Sequence, residues 1–343
     1  MMQRKWVIVV LAAIAIAGCK KKEEAPAPAA EEKAAAPEPQ KPAPAEPIIP
    51  LPESVDVDMD KVILGRSLYH DTILSGDGTI SCATCHMLDH GGAEPRKTST
   101  GIKGQKGPIN SPTVLNSAYN FVQFWDGRAK DLQEQAEGPV ANPIEMGSKW
   151  NQVVSKVAKN EQYAAAFDKL YSDGVTKDNI TDAITEYEKS LITPSRFDKY
   201  LRGDESAISD QEKKGYLTFK EVGCTACHTG IIVGGTMFQK LGLVKDYFAD
   251  RGTPLTEADN GRFNVTKNPA DKHFFKVPTL RNIELTPPYL HDGSRETLEE
   301  TVALMGKYQL GRDLTDEQIN DIVAFLKSLT GELPAYAKMP QGN

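Results

Sequence analysis

Along most of the chain the apolar residues recur at helical spacing. Over residues 177–191, Ile180, Ala183, Ile184, Tyr187 and Leu191 fall on one face behind Thr176, which predicts a helix with that threonine as N-cap. Over 316–329 a second apolar face follows Thr315 and Gln318, a capping box, and Gly331 stands just past its end. From Val55 onward such segments alternate with Gly and Pro clusters, and no sustained period-two alternation asks for a sheet. The expected fold class is mainly α.

The N-terminus departs from this pattern. An apolar run from Trp6 to Ala17 follows Arg4 and Lys5 and is short for a membrane span, so residues 1–18 read as an export signal. Its end, Ile16-Ala17-Gly18-Cys19, resembles the bacterial lipoprotein signal, in which the cysteine becomes a lipid-bearing N-terminus. Cys19 is therefore expected to anchor the protein to a membrane on the periplasmic side. Residues 19–50 are dominated by Ala, Pro, Glu and Lys without an aromatic residue, the composition of a disordered tether. The formal charge of −7 argues against nucleic acid as a partner and suits solubility or the steering of a basic redox partner.

An internal duplication carries more information than any single motif. Cys82-Ala83-Thr84-Cys85-His86 is echoed by Cys224-Thr225-Ala226-Cys227-His228, and Pro112-Thr113-Val114-Leu115-Asn116 by Pro278-Thr279-Leu280-Arg281-Asn282. Fourteen residues after each proline comes an Asp-Gly pair, Asp126-Gly127 and Asp292-Gly293, and six residues after each Asp comes Leu132 or Leu298. Two copies of one unit are expected, over 51–205 and 206–343.

CxxCH is the attachment signature of haem c: two thiols add to the porphyrin vinyl groups and the adjacent histidine lies under the iron. A zinc site would need further Cys or His at ligand spacing, and a redox CxxC would need a βαβ context; neither is present. The fold expected is thus two cytochrome c-like haem domains, with two covalent haem c groups on Cys82, Cys85, His86 and on Cys224, Cys227, His228. Together with Cys19 these account for all five cysteines. The second copy has Leu304-Met305-Gly306 on a helix expected to begin near Ser294, and the duplication marks Met305 as the axial ligand of the second iron. The first copy, after a seven-residue insertion, has Glu145-Met146-Gly147 there. A carboxylate beside an open iron could move a proton between the two oxygens of a peroxide. His70 and His273 lack ligand-spaced partners and read as surface or structural residues.

The stretches 110–116, Gln123-Phe124-Trp125-Asp126-Gly127-Arg128, Glu145-Met146, 277–282 and His291-Asp292-Gly293 resemble the bacterial di-haem cytochrome c peroxidases across about residues 55–330. The resemblance implies that the haem on His86 is the peroxidatic one and that on His228 and Met305 the point of electron entry. It makes Glu145 the catalytic carboxylate and Gln135 a distal neighbour. Trp125, which stands where the second copy has His291, would assist electron passage between the haems. A calcium ion is implied on Asn110 and the backbone oxygens of Thr286 and Pro288, chemistry that suits hard oxygen ligands. The implied activity is reduction of hydrogen peroxide to water with electrons from a small c-type cytochrome or similar periplasmic donor, in a protein of a commonly dimeric family. In one respect the chain departs from the pattern: Ile102 stands where members that rest inactive have a removable histidine ligand. Either the first haem is open, or another residue such as His90 closes it. Two rivals remain: a di-haem electron carrier, and a relative that builds a quinone from protein tryptophans, which has Tyr in place of Met305.

Overall fold

The computed structural model describes residues 46–339. The export signal, the lipid site at Cys19 and the tether as far as residue 45 lie outside the described residues. Residues 46–50, expected to close the tether, instead belong to the folded body. Ile48 is fully buried against Phe197, Tyr216 and Val233, and its backbone bridges to Gly230. A composition-based boundary ran past them because Pro47 and Pro50 continue the proline-rich pattern while Ile48 supplies the burial.

Among the described residues helices dominate, as the apolar periodicity predicts. The Lys177–Ser190 helix is capped by the Thr176 hydroxyl on Asn179 N, and the Asp316–Ser328 helix carries the expected Thr315–Gln318 capping box. The helix bearing Met305 runs Leu298–Gln309 with Thr297 as N-cap, not from Ser294. Ser294 sits in a turn whose ends, Tyr289 and Arg295, bridge each other. One two-stranded antiparallel ribbon pairs Phe238–Lys240 with Phe274–Lys276, too short to leave an alternation in the sequence.

Two helix pairs form the frame. Met59–His70 packs on Lys177–Ser190, and Asp210–Val222 on Asp316–Ser328. Each pair closes through a glycine: a Cβ on Gly65 would lie 1.8 Å from the Ala183 carbonyl oxygen, and one on Gly215 1.9 Å from that of Asp321. Leu64, Leu68, Ile180 and Ile184 pack in the first pair, with Tyr187 on a neighbouring cluster; Phe219, Ile322, Phe325 and Leu326 pack in the second. Burying one such side chain contributes roughly 1.5–3 kcal/mol.

Local geometry recurs at the matching stretches. Asn116 and Asn282 are both left-handed, with φ of 60°, and both amides donate to the single hydroxyl of Thr193, at 2.8 and 2.7 Å. Gln123 bridges Ala129 as Tyr289 bridges Arg295, around left-handed Phe124 and Leu290. Helices then begin at Leu132 and Leu298.

A buried ion pair ties the N-terminal segment to this frame. Arg281 donates twice to Asp198, each at 2.8 Å with both side chains fully buried, while Asp198 also accepts from Leu51 N and from the backbone and hydroxyl of Ser195. Removing one partner would leave an uncompensated buried charge. Asp198→Ala is expected to cost about 3–5 kcal/mol, read as a lower denaturant midpoint for the haem-loaded protein with an unchanged slope.

Candidate functional site

Both CxxCH histidines are half-buried with one ring nitrogen committed to the backbone. His86 Nδ1 lies 3.0 Å from the Pro112 carbonyl oxygen and 3.3 Å from that of Gly92; His228 Nδ1 lies 3.2 Å from that of Val233. As N–H donors to these carbonyls the rings keep Nε2 free to ligate. Burial pushes His228 down to about 4 and lowers His86 as well, which favours the neutral imidazole that ligates a metal.

The repeated threonine explains how the carbonyls are held. Thr113 Oγ1 donates to Gly91 O and Thr279 Oγ1 to Ile232 O, both at 2.6 Å, in each case the residue before a carbonyl that meets the histidine. Ser111 adds a bond to Cys85 O at 3.0 Å and lies 3.2 Å from His86 Nδ1.

The four cysteines of these motifs form no disulfide. Burial pushes Cys82 and Cys224 up to about 12 and Cys85 up to about 11. Among the described residues the one group of three metal-capable side chains is Asp259, His291 and Asp292, with no cysteine in it. There the Arg251 guanidinium already occupies the cation's place, donating to both Asp259 oxygens at 2.7 Å. The donor chemistry therefore fits haem attachment and not zinc.

The second motif opens on a largely apolar cavity. Cys224, Cys227, His228 and Met305 line it together, which places the thioether and the imidazole in one chamber. Trp125, Asn110, Thr286 and Pro288 line the same cavity. Trp125 Nε1 donates to Asn110 O at 2.9 Å, one residue from the Ser111 hydroxyl on His86. The Trp125 and His291 rings, which break the repeat, are neighbours at 6.4 Å and 73°. His291 Nε2 lies 2.8 Å from Asp259, whose carboxyl Arg251, Thr256 and His291 hold well below the usual range against the opposing effect of burial. This buried network had no signal in the sequence, because Asp259 and Arg251 lie far along the chain from His291.

At the first motif a second cavity is lined by Ala83, Thr84, Met87, Glu94, Gly101 and neighbouring residues. Glu145 stands beside it in a turn pinned by backbone bonds: Ile102 N to Glu145 O at 2.8 Å, Gly76 N to Met146 O at 2.7 Å, and Gly147 N to Asn142 O at 2.8 Å. Met146, aligned with Met305, is buried in the core. Burial raises the Glu145 carboxyl above its ordinary value, opposed by the charge of Arg128 and a 2.7 Å bond from Asn142 Nδ2. Sequence reasoning missed both of these partners. Gln135 lies half-buried on the Leu132–Ala141 helix, and no hydrogen bond among the described residues engages its amide. Ile102 is buried and packs against Gly147, while His90 is exposed on the Leu88–His90 turn. His70 lies edge-on to Tyr69, and His273 stacks on Phe248 at 4.1 Å, both in structural settings.

A family model described as di-haem cytochrome c peroxidase matches residues 59–206. The chain is 53% identical over 298 residues to the cytochrome c peroxidase Ccp of Escherichia coli (strain K12), covering 86% of this chain and 63% of that protein. It is 50% identical over 296 residues to the cytochrome c551 peroxidase of Nitrosomonas europaea, covering 86% of each. The chain belongs to the di-haem cytochrome c peroxidase family. That family is a di-haem one, and this chain carries two CxxCH motifs. A crystal structure of a MauG-like protein associated with microbial copper homeostasis shares the fold of this chain, with a TM-score of 0.72 at 29% identity over 84% of this chain and 97% of that one. Asn142→Ala removes a donor to the ionised Glu145 and is expected to raise its carboxyl further, checked by infrared titration of the protonated carboxyl band against Glu145→Gln.

Proposed function

We propose that this chain reduces hydrogen peroxide to water, taking two electrons and two protons per peroxide, with electrons from a small c-type cytochrome or similar periplasmic donor. The observation that carries this reading is the asymmetry of two otherwise matching sites: Met305 shares the cavity of His228, while beside the first motif the matching segment offers Glu145 and turns Met146 into the core. The recurring left-handed Asn, bridged turn and helix start support two duplicated haem units, 51–205 and 206–343. An electron carrier has no use for a carboxylate held at one haem, and Met305 argues against the quinone-building relatives.

When bound, a haem supplies iron that binds the oxidant and passes electrons to it. The chain's residues do the remainder. His86 and His228, fixed through Nδ1, would hold the two haems through Nε2, and Met305 would supply a further ligand at the electron-entry site, where a thioether raises the potential. Glu145 takes a proton from one peroxide oxygen and gives it to the other, so that water leaves instead of hydroxide. Asn142 and Arg128 favour its ionised form, the form that can act as base. Gln135 is assigned as its distal neighbour. Trp125 lines the electron-entry cavity and connects through Asn110 and Ser111 to His86, a bonded route between the two sites. Calcium on Asn110, Thr286 and Pro288 is supported by their sharing one cavity wall. Lipidation at Cys19, a periplasmic location and dimer formation rest on the sequence reading.

Glu145→Gln is expected to lower kcat for peroxide by about 10²–10⁴-fold with both haems retained; full turnover would remove the carboxylate from the mechanism. Because burial raises Glu145, its active carboxylate is lost as pH falls through a value above the ordinary 4.5, and the acid limb of the rate profile should lie there and vanish in the Gln variant. With Ile102 buried at the loop position and His90 exposed, the first haem is read as open. The oxidised protein should give a high-spin ferric electron paramagnetic resonance signal, whereas two low-spin signals would restore a closing ligand.

A further inference from the structure

Lys276 is a buried charge that nothing in the proposed chemistry uses. It sits at the end of the Phe274–Lys276 strand and is 6% exposed. Its side chain makes no hydrogen bond or ion pair with any described residue, and burial alone pulls its ammonium down to about 8. A buried ammonium without a partner is a costly arrangement that a protein keeps when something outside the chain completes it. Lys276 lines the same cavity as Cys224, His228 and Met305, whose walls are mainly apolar. The backbone holds it there: Lys276 N donates to Trp125 O at 2.8 Å. In the repeat Lys276 matches Asn110, whose own N–H donates to His291 O at 2.8 Å, so the two positions make reciprocal bonds. At one position stands the residue read as a calcium ligand, and at the other the chain's own cation.

A haem is apolar except at its two propionates, the only anions that filling this cavity would bring to the lysine. We infer that the Lys276 ammonium binds a propionate of the second haem and thereby raises the reduction potential of that haem. The inference rests on the seating of the second haem at His228 and Met305. A cation beside the macrocycle favours the reduced state, which carries one positive charge fewer, and Lys276 touches Trp125 through its backbone, so this charge lies on the route between the sites. Lys276 is a positioning residue that acts on the haem and not on peroxide.

The test compares the full-length, haem-loaded protein with Lys276→Met and Lys276→Arg. Haem count by mass comes first, then spectroelectrochemical titration of each haem and resonance Raman spectra of the propionate bending modes. Lys276→Met should lower the reduced-to-oxidised ratio of the second haem at fixed electrode potential by at least about tenfold, or about 59 mV for one electron, and shift its propionate band. Lys276→Arg should restore both. A Met variant with two haems and a second-haem potential unchanged within about threefold, or a shift confined to the first haem, overturns the inference while leaving the haem assignment intact. Should the Met variant fail to load haem, a crystal structure of the unsubstituted haem-loaded protein decides. Nζ within about 3.2 Å of a second-haem propionate oxygen supports the contact, and a separation beyond about 4 Å from all of them refutes it. An unsubstituted chain carrying fewer than two haems would overturn the haem assignment and the lysine's role with it.

Discussion

The hydrogen bond from a CxxCH histidine Nδ1 to a backbone carbonyl is the constraint on which the rest is built. It selects the tautomer that leaves Nε2 free and stops the ring from turning. A carbonyl can do this only if its loop is itself held, and Thr113 and Thr279 hold the two loops through Gly91 O and Ile232 O. The threonine must in turn be placed, and the left-handed Asn116 and Asn282 that close the same stretches do so by meeting on Thr193 at the junction. Each repeated five-residue stretch is thus a bracket between its CxxCH loop and the centre of the fold.

On that common bracket the two sites differ through backbone placement more than through composition. The segment carrying Met305 is a regular helix, Leu298–Gln309, whose capping box sets which face looks into the cavity. In the first copy the Leu132–Ala141 helix stops at Asn142, and Asn142 then organises the next turn with both its carbonyl and its side chain. The methionine moves into the core, and the carboxylate beside it is left half-buried, bonded and near a cation. Ile102 caps this turn with its backbone N–H while its side chain fills the space against Gly147, so a residue that cannot ligate iron still has a packing role.

Three cations set away from water meet two different fates. Arg281 is matched by Asp198 and backbone carbonyls, and Arg251 by Asp259 and Asp292. Planar guanidinium forks suit such fixed carboxylates, whereas the compact ammonium of Lys276 has no partner in the described chain. That contrast, and not its burial alone, singles the lysine out.

The sequence by itself determined the helical class, the N-caps at Thr176 and Thr315, the two attachment motifs and the repeat around them, because each is written in near neighbours or in fixed spacings. The family was legible in the same motifs. The Met305 helix start was misplaced because Ser294 and Thr297 are both acceptable caps, and only the bridged turn from Tyr289 to Arg295 decides between them. Tertiary structure alone decided that Ile48 is core and not tether, that Trp125 and His291 are neighbours, and that Asn142 and Arg128 tune Glu145. It also brought Lys276 to the second cavity. The reason is common to all of these: burial and field at a point in space are sums over residues distant in the chain, and no local pattern records them.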